Sequence, residues 1–190
     1  FLFTDIEGST KLLLQLGEEY EKILSDHNRI LRNVITKFGG EEQDNAGDGF
    51  FIVFDKVKNA VESAAEIQRI FSTHNWGNGF KLKVRMGIHT GEVNKNESGF
   101  VGIEVNRASR IGAAGHGGQV LISESTKVLV SNDLPDGINI KDLGEFNLKD
   151  FDKPEKIFQL EIDNLQNSFP PLKSQSVIKS NLNFQITKLI

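Results

Sequence analysis

The chain has 190 residues, 38% of them hydrophobic and 25% charged, with 14 Phe against a single Trp, Tyr and Met. That suits one globular domain with a Phe-rich aliphatic core, and it excludes two large domains and a disordered chain. Acidic residues outnumber basic ones by 26 to 22 and there is no Cys, which argues against coating nucleic acid or anionic lipid, removes disulfides and thiolate chemistry, and fits a reducing cytosol.

Phe1 to Asp5 reads as a short buried strand. Gly8-Ser9-Thr10 supplies a turn and a helix cap ahead of Lys11-Leu12-Leu13-Leu14. From Glu18 to Phe38 apolar residues fall at Tyr20, Ile23, Leu24, Ile30, Leu31, Val34, Ile35 and Phe38, with His27 on the same stripe, the spacing of a long amphipathic helix. Gly39-Gly40 ends it. Glu41 to Ala46, Gly47-Asp48-Gly49 and Phe50 to Phe54 read as a β-hairpin with a buried second strand. A second amphipathic helix carries Val57, Ala60, Val61, Ala64, Ala65, Ile67, Ile70 and Phe71. Lys81 to Val93 predicts a strand, Val105 to Ala114 a short helix, Gly118 to Ile122 a strand and Lys156 to Ile162 a last strand.

The order β-α-β-β-α-β with additions predicts an α+β fold, ferredoxin-like, its sheet covered by helices on one face and its other face left for a ligand or partner. A domain over residues 1–163 and a linker over 164–190 are expected, since Phe169-Pro170-Pro171 and the Ser, Asn, Gln and Lys-rich run after it change the character of the chain. The start at Phe1, without Met or signal peptide, reads as a fragment of a longer protein. No apolar run approaches the ~18 residues of a membrane span.

Three segments can carry chemistry. Asp5 lies where a strand ends and Asp48 in the hairpin turn; each alone is an ordinary turn former, but if their strands are neighbours the carboxylates converge, and two hard oxygen ligands suit Mg²⁺ or Mn²⁺. The segment Ile6-Glu7-Gly8-Ser9-Thr10 opens a helix whose free N–H groups can hold phosphate oxygens, as any helix start can. Asn106 and Arg110, four apart on one helix face, can orient a sugar and meet negative charge on phosphate, while Arg107 is expected as a solvated surface charge. The four His residues show no metal spacing, and Gly112 to Gly118 lacks the ending of a P-loop.

Taken together, Phe3-Thr4-Asp5-Ile6-Glu7-Gly8-Ser9-Thr10, Gly47-Asp48-Gly49-Phe50, Arg85-Met86-Gly87-Ile88-His89-Thr90-Gly91-Glu92 and Val105-Asn106-Arg107-Ala108-Ser109-Arg110 resemble, in order and spacing, the class III nucleotidyl cyclase catalytic domain. The resemblance runs from Phe1 to about Leu160, with Asp142 to Glu145 and Leu148-Lys149-Asp150 similar to that family's last hairpin. It implies a head-to-tail homodimer with shared sites. Asp5 and Asp48, helped by the Ile6 carbonyl, would hold two Mg²⁺ or Mn²⁺ ions, and Asn106 and Arg110 would come from the other subunit. The implied reaction is attack of the ribose 3′-oxygen on the α-phosphorus of ATP or GTP, releasing pyrophosphate.

The base-selecting positions depart from the adenylate cyclase pattern, which has a Lys four residues before the second metal Asp and an Asp or Thr seven before the Asn. Here they are Asp44 and Gly99, or Glu97 or Ser98 if the loop is shifted. An ionised Asp44 only accepts hydrogen bonds, which suits the N–H and amine edge of guanine or the amine of cytosine; facing solvent is its other reading. Lys149 and Lys153 are both candidates for the family's triphosphate contact. The tail resembles the junction that some bacterial cyclase modules have before a downstream ATPase region. An active cyclase is therefore expected. A weakly active, nucleotide-binding regulatory module is the alternative, and the acidic charge disfavours a polymerase-palm relative.

Overall fold

A computed structural model describes residues 1–77, 79–96 and 99–176. The elements are β1 (Leu2–Ile6), α1 (Ser9–Leu16), α2 (Glu18–Lys37), β2 (Gly40–Ala46), β3 (Gly49–Phe54), α3 (Val57–Thr73), β4 (Val84–Ile88), β5 (Asn94–Asn96), β6 (Gly99–Val101), α4 (Ile103–Ala114), β7 (Val120–Ser123), α5 (Glu124–Val130), β8 (Ile138–Asn147), β9 (Glu155–Ile162) and β10 (Gln175–Ser176). Eight strands form one sheet in the order β10-β8-β9-β7-β4-β1-β3-β2, with β4 and β7 parallel and the other pairs antiparallel; β5 and β6 make a separate hairpin. The expected α+β class and β-α-β-β-α-β core are present. The strand expected over Lys81 to Val93 is confined to Val84–Ile88; the C-terminal hairpin that the resemblance implied is formed by β8 and β9, and the short α5 was not read from the sequence.

Alternation along each strand sorts the side chains onto two faces. Leu2 and Ile6 of β1, Val84, Met86 and Ile88 of β4, Val120 and Ile122 of β7 and Phe158 and Leu160 of β9 share one core with the apolar stripes of α2 and α3. The α2 stripe is buried as expected at Tyr20, Ile23, His27, Ile30, Leu31, Val34 and Ile35, with Leu24 and Phe38 half-buried at its margin. On the opposite face Leu121 and Ile157 pack with Ile111 and Ala114 of α4 and with Phe146 and Leu148, so α4 lies across part of the face expected to be free. Close approach at a glycine allows it: a Cβ on Gly87 of β4 would stand 2.3 Å from the Gly112 nitrogen and 2.5 Å from the Ala108 carbonyl oxygen.

The segment after Asp163, expected as a linker, packs on the domain as far as Ser176. Leu165 joins the larger core, Leu172 the smaller one, and β10 pairs with β8 at Gln175↔Asn147. Residues 177–190 lie outside the described residues. Among the described residues no helix is long and apolar enough to cross a membrane.

His27 has 0% exposure, its Nδ1 beside Asn28 Oδ1 at 2.8 Å and its ring against Phe50 and Phe71. Burial pushes its pKa from 6.5 down to about 4, against the smaller pulls of Asn28 and Asp48. The unfolded chain therefore takes up a proton that the folded one refuses between those values. Stability is full above pH 6.5 and declines as the pH falls toward 4, by of order 2–3 kcal/mol. Urea titrations of the wild type and His27→Leu across that range should show the slope of stability with pH flattening in the variant; parallel slopes would remove His27 as its source.

Candidate active site

The β1–β3 register decides whether the two carboxylates meet. β1 pairs antiparallel with β3 at Thr4↔Phe50, and one further step sets Asp5 across from Gly49, the neighbour of Asp48. The hairpin closes on two central residues, Gly47 and Asp48, between the pair Ala46↔Gly49. Only Gly47 has positive φ, at 70°, the pattern of a type II′ turn, which matches the twist of the strands it joins. Both carboxylates also act on one neighbour: the Tyr20 hydroxyl is held above its usual pKa by burial first, then by the charges of Asp48 and Asp5. Two carboxylates and the Ile6 carbonyl at one end of adjacent strands could hold a divalent ion, an all-oxygen donor set being the kind Mg²⁺ and Mn²⁺ take.

Arg85 completes this end and was quoted from the sequence only within a motif. It is the β4 partner of Asp5. Its Nε donates to Asp5 Oδ2 at 3.0 Å and its terminal nitrogen bonds the same oxygen, while NH1 donates to the Ala113 carbonyl of α4 at 3.3 Å. The pairing could not be read without the strand order, since the two residues are 80 apart.

The turn after β1 departs from the expected capping. Gly8, in the left-handed region at φ 72°, takes the N-cap place of α1 with no side-chain hydrogen bond, and Ser9 and Thr10 belong to the first turn. The first N–H groups of α1 therefore have no side-chain cap. Glu7 turns toward the tail: its Oε1 accepts from Lys173 Nζ at 2.7 Å. Burial alone would raise the Glu7 pKa, but Lys173, the Gly117 amide and His116 hold it below the usual value.

Asp44 reaches its position through a bulge. The β2–β3 register runs Glu42↔Ile52 and then Asp44↔Phe51, leaving Gln43 extra. That extra residue turns Asp44 onto the face of Phe51 and Phe3, whose rings stack at 4.6 Å, the face that Asp5 also shares by alternation. Asp44 is exposed there. A Cβ on Gly99 would come 4.0 Å from Gln43 Oε1, so Gly99 lies beside the side chain of Gln43, the residue before Asp44, which sequence reasoning did not single out. Glu97 and Ser98, the alternatives to Gly99, lie outside the described residues.

On α4, Asn106 is exposed and Arg110 half-buried. Arg110 donates to Asp150 Oδ2 at 2.6 Å. Arg107 is not the solvated charge expected. Its side chain is 19% exposed, it pairs with Glu104 at 3.2 Å and with Glu155, and its guanidinium lies 4.5 Å over the Phe151 ring. Glu104 in turn meets His89 Nε2 at 2.5 Å, and His89 Nδ1 lies 2.8 Å from Ser123 Oγ. Burial lowers the His89 pKa more than Glu104 raises it. For Glu104, burial pushes upward, but Arg107 and His89 together bring its pKa below the usual value. Ser, His and Glu in that order have the connectivity of a nucleophilic triad. Ser123 is 2% exposed and also bonds Ser125 and Thr126, so no substrate can reach it. The network instead seats the first turn of α4, where a Cβ on Gly91 would meet Glu104 at 2.9 Å. Lys149 and Lys153 are both exposed in the turn after β8, Lys149 next to the Arg110 partner.

The family model described as the adenylate and guanylate cyclase catalytic domain matches residues 1–162. The chain belongs to that family. The cyclase domain is 31% identical over 175 residues to an uncharacterized protein of Mycobacterium tuberculosis, the match covering 91% of this chain and 59% of that protein. It is 29% identical over 204 residues to a receptor-type adenylate cyclase of Trypanosoma equiperdum, covering 84% of this chain and 43% of that protein. The chain thus spans under two thirds of the curated relatives it matches. Among solved structures, an adenylate cyclase of Trypanosoma brucei in its monomeric state superposes with a TM-score of 0.79 at 26% identity, covering 90% of each chain. The adenylyl cyclase CyaB of P. aeruginosa gives 0.73 at 26%, covering 84% of this chain and 91% of that one. The guanylyl cyclase Cya2 gives 0.75 at 27%, covering 90% and 94%.

Proposed function

We propose that the cyclase domain converts a nucleoside triphosphate, ATP or GTP, to its 3′,5′-cyclic monophosphate and pyrophosphate, as a head-to-tail homodimer whose sites are shared between protomers. The observation that carries this reading is the β1–β3 register, which brings Asp5 and the neighbour of Asp48 together at one end of the sheet. Asp5, Asp48 and the Ile6 carbonyl hold two Mg²⁺ or Mn²⁺ ions. Bound there, the metals supply charge neutralisation at the phosphates and a lower pKa for the 3′-hydroxyl. The uncapped N–H groups over Gly8, Ser9 and Thr10 take phosphate oxygens, with Lys149 or Lys153 as a further cation on the triphosphate and Glu7 holding the loop to the tail. Asp44 accepts from the base edge beside Gly99. From the partner protomer, Asn106 orients the ribose and Arg110 meets the negative charge that grows on the α-phosphate in the transition state.

Two exposed apolar pairs support a shared interface. Leu13 and Leu14, 48% and 82% exposed, stand on α1 beside the carboxylate end, and Val101 at the end of β6 and Ile103 at the start of α4, 51% and 54% exposed, stand near Asn106. Leu12 and Leu16 of α1 pack half-buried against the larger core, and a partner surface would give Leu13 and Leu14 the burial they lack. A cytosolic setting and a fused downstream region belong to the same reading.

Mixing Asp5→Asn with Arg110→Ala protein tests it. Each variant alone should be inactive with Mn²⁺ and either ATP or GTP. Random mixing should restore about a quarter of wild-type activity, because half the dimers are mixed and one of their two sites is intact. A mixed dimer that forms and stays silent would refute shared sites, and triphosphate binding without turnover in the wild type would favour the regulatory-module reading.

A further inference from the structure

Asp150 is one of two described non-glycine residues with positive φ, at 68°. A β-carbon there costs about 1 kcal/mol against glycine, a cost that Asp bears more readily than most residues. Its side chain is 57% exposed, so burial does not repay the strain. What its carboxylate does is hold Arg110, Oδ2 accepting from NH2 at 2.6 Å across 40 residues of sequence.

We propose that Asp150 is a positioning residue for the arginine that stabilises the transition state. This rests on the proposed cyclase reading and goes beyond it, since it names what sets the arginine. Free on a helix surface, an arginine side chain samples many rotamers, and its charge helps catalysis only in the small fraction aimed at the reacting phosphate. Bonding NH2 to a carboxylate on a rigid turn selects one direction. The other edge stays available: the Arg110 Nε is buried and has no hydrogen-bond partner among the described residues, a donor whose desolvation an incoming phosphate oxygen would repay. The anchoring turn is itself fixed, because Phe151 donates its N–H to the Leu148 carbonyl, Leu148 is buried in the smaller core, and the Phe151 ring lies under Arg107 of α4. α4 and the turn therefore move together.

The substitution Asp150→Gly separates this role from a structural one, because it relieves the φ strain while removing the anchor. The expected result is a melting temperature no lower than wild type, a kcat down about tenfold and a KM within twofold; tenfold is about 1.4 kcal/mol of activation free energy. Asp150→Asn, which keeps the shape and tolerates the same φ but lacks the charge, should fall between. An unchanged or raised kcat overturns the proposal, as does a loss confined to KM, which would assign the effect to Lys149 next door. The complementation pair supplies the second measurement. Asp150→Gly on the Asp5→Asn protomer, which carries the working Arg110, should lower the restored activity; on the Arg110→Ala protomer it has no arginine to orient and should leave the restored activity as it was. Equal effects from both placements refute positioning, whereas loss of complementation by the parent pair refutes the shared-site reading instead.

Discussion

Asp48→Asn should lower cyclic nucleotide formation by roughly a hundredfold to a thousandfold, the several kcal/mol that a metal-bound transition state is worth, while the melting temperature stays near wild type. The two halves of that result have separate physical causes. Asp48 is half-exposed at the second central position of a type II′ turn whose positive φ falls on Gly47, and Asn suits such turns as well as Asp does. The charge is what changes. With Asn at 48, the proposed pair keeps only the Asp5 carboxylate, which already carries two hydrogen bonds from Arg85 on Oδ2. A neutral amide oxygen is a poorer ligand for a hard divalent ion than a carboxylate. Product formation with Mn²⁺ and ATP or GTP, read beside a thermal melt, checks both halves. Activity within a few-fold of wild type would take Asp48 out of the metal site.

Gly87→Ala should do more damage than its single methyl group suggests. The new Cβ would meet the backbone of α4, with the Gly112 nitrogen at 2.3 Å, the Ala108 oxygen at 2.5 Å and the Gly112 Cα at 2.6 Å, and backbone cannot rotate away as a side-chain tip can. α4 must lift from β4. Overpacking of this kind costs about 1–3 kcal/mol, which for a domain of this size lowers the melting temperature by roughly 2–12 °C. Turnover should fall further than stability does, because Asn106 and Arg110 ride on the displaced helix. Gly112→Ala is the milder comparison, its nearest contact being the Gly87 nitrogen at 3.0 Å. Melting curves and kcat for the two variants should rank Gly87→Ala below Gly112→Ala. A Gly87→Ala protein with wild-type melting and turnover would mean that α4 is not seated by that contact.

The α2 stripe from Tyr20 to Phe38, the Phe50 to Phe54 strand and the turn at Gly47-Asp48 were legible because their signals are local: period 3.6, a continuous apolar run, and a glycine where the chain needs positive φ. Asp5, Asp48, Asn106 and Arg110 are grouped as a proposed site through the order and spacing of motifs alone. Arg85 as the partner of Asp5, Asp150 as the hydrogen-bond partner of Arg110, the pairing of Arg107 with Glu104 and Glu155, and the bulge that turns Asp44 onto the face of Phe51 could not be read from the sequence. Each depends on which strand lies beside which and in what register. Hydrophobic periodicity says only which way a side chain points from its own element. Contacts across 40 or 80 residues exist only once the sheet order has brought those elements together, and that order is decided by the packing of the whole domain.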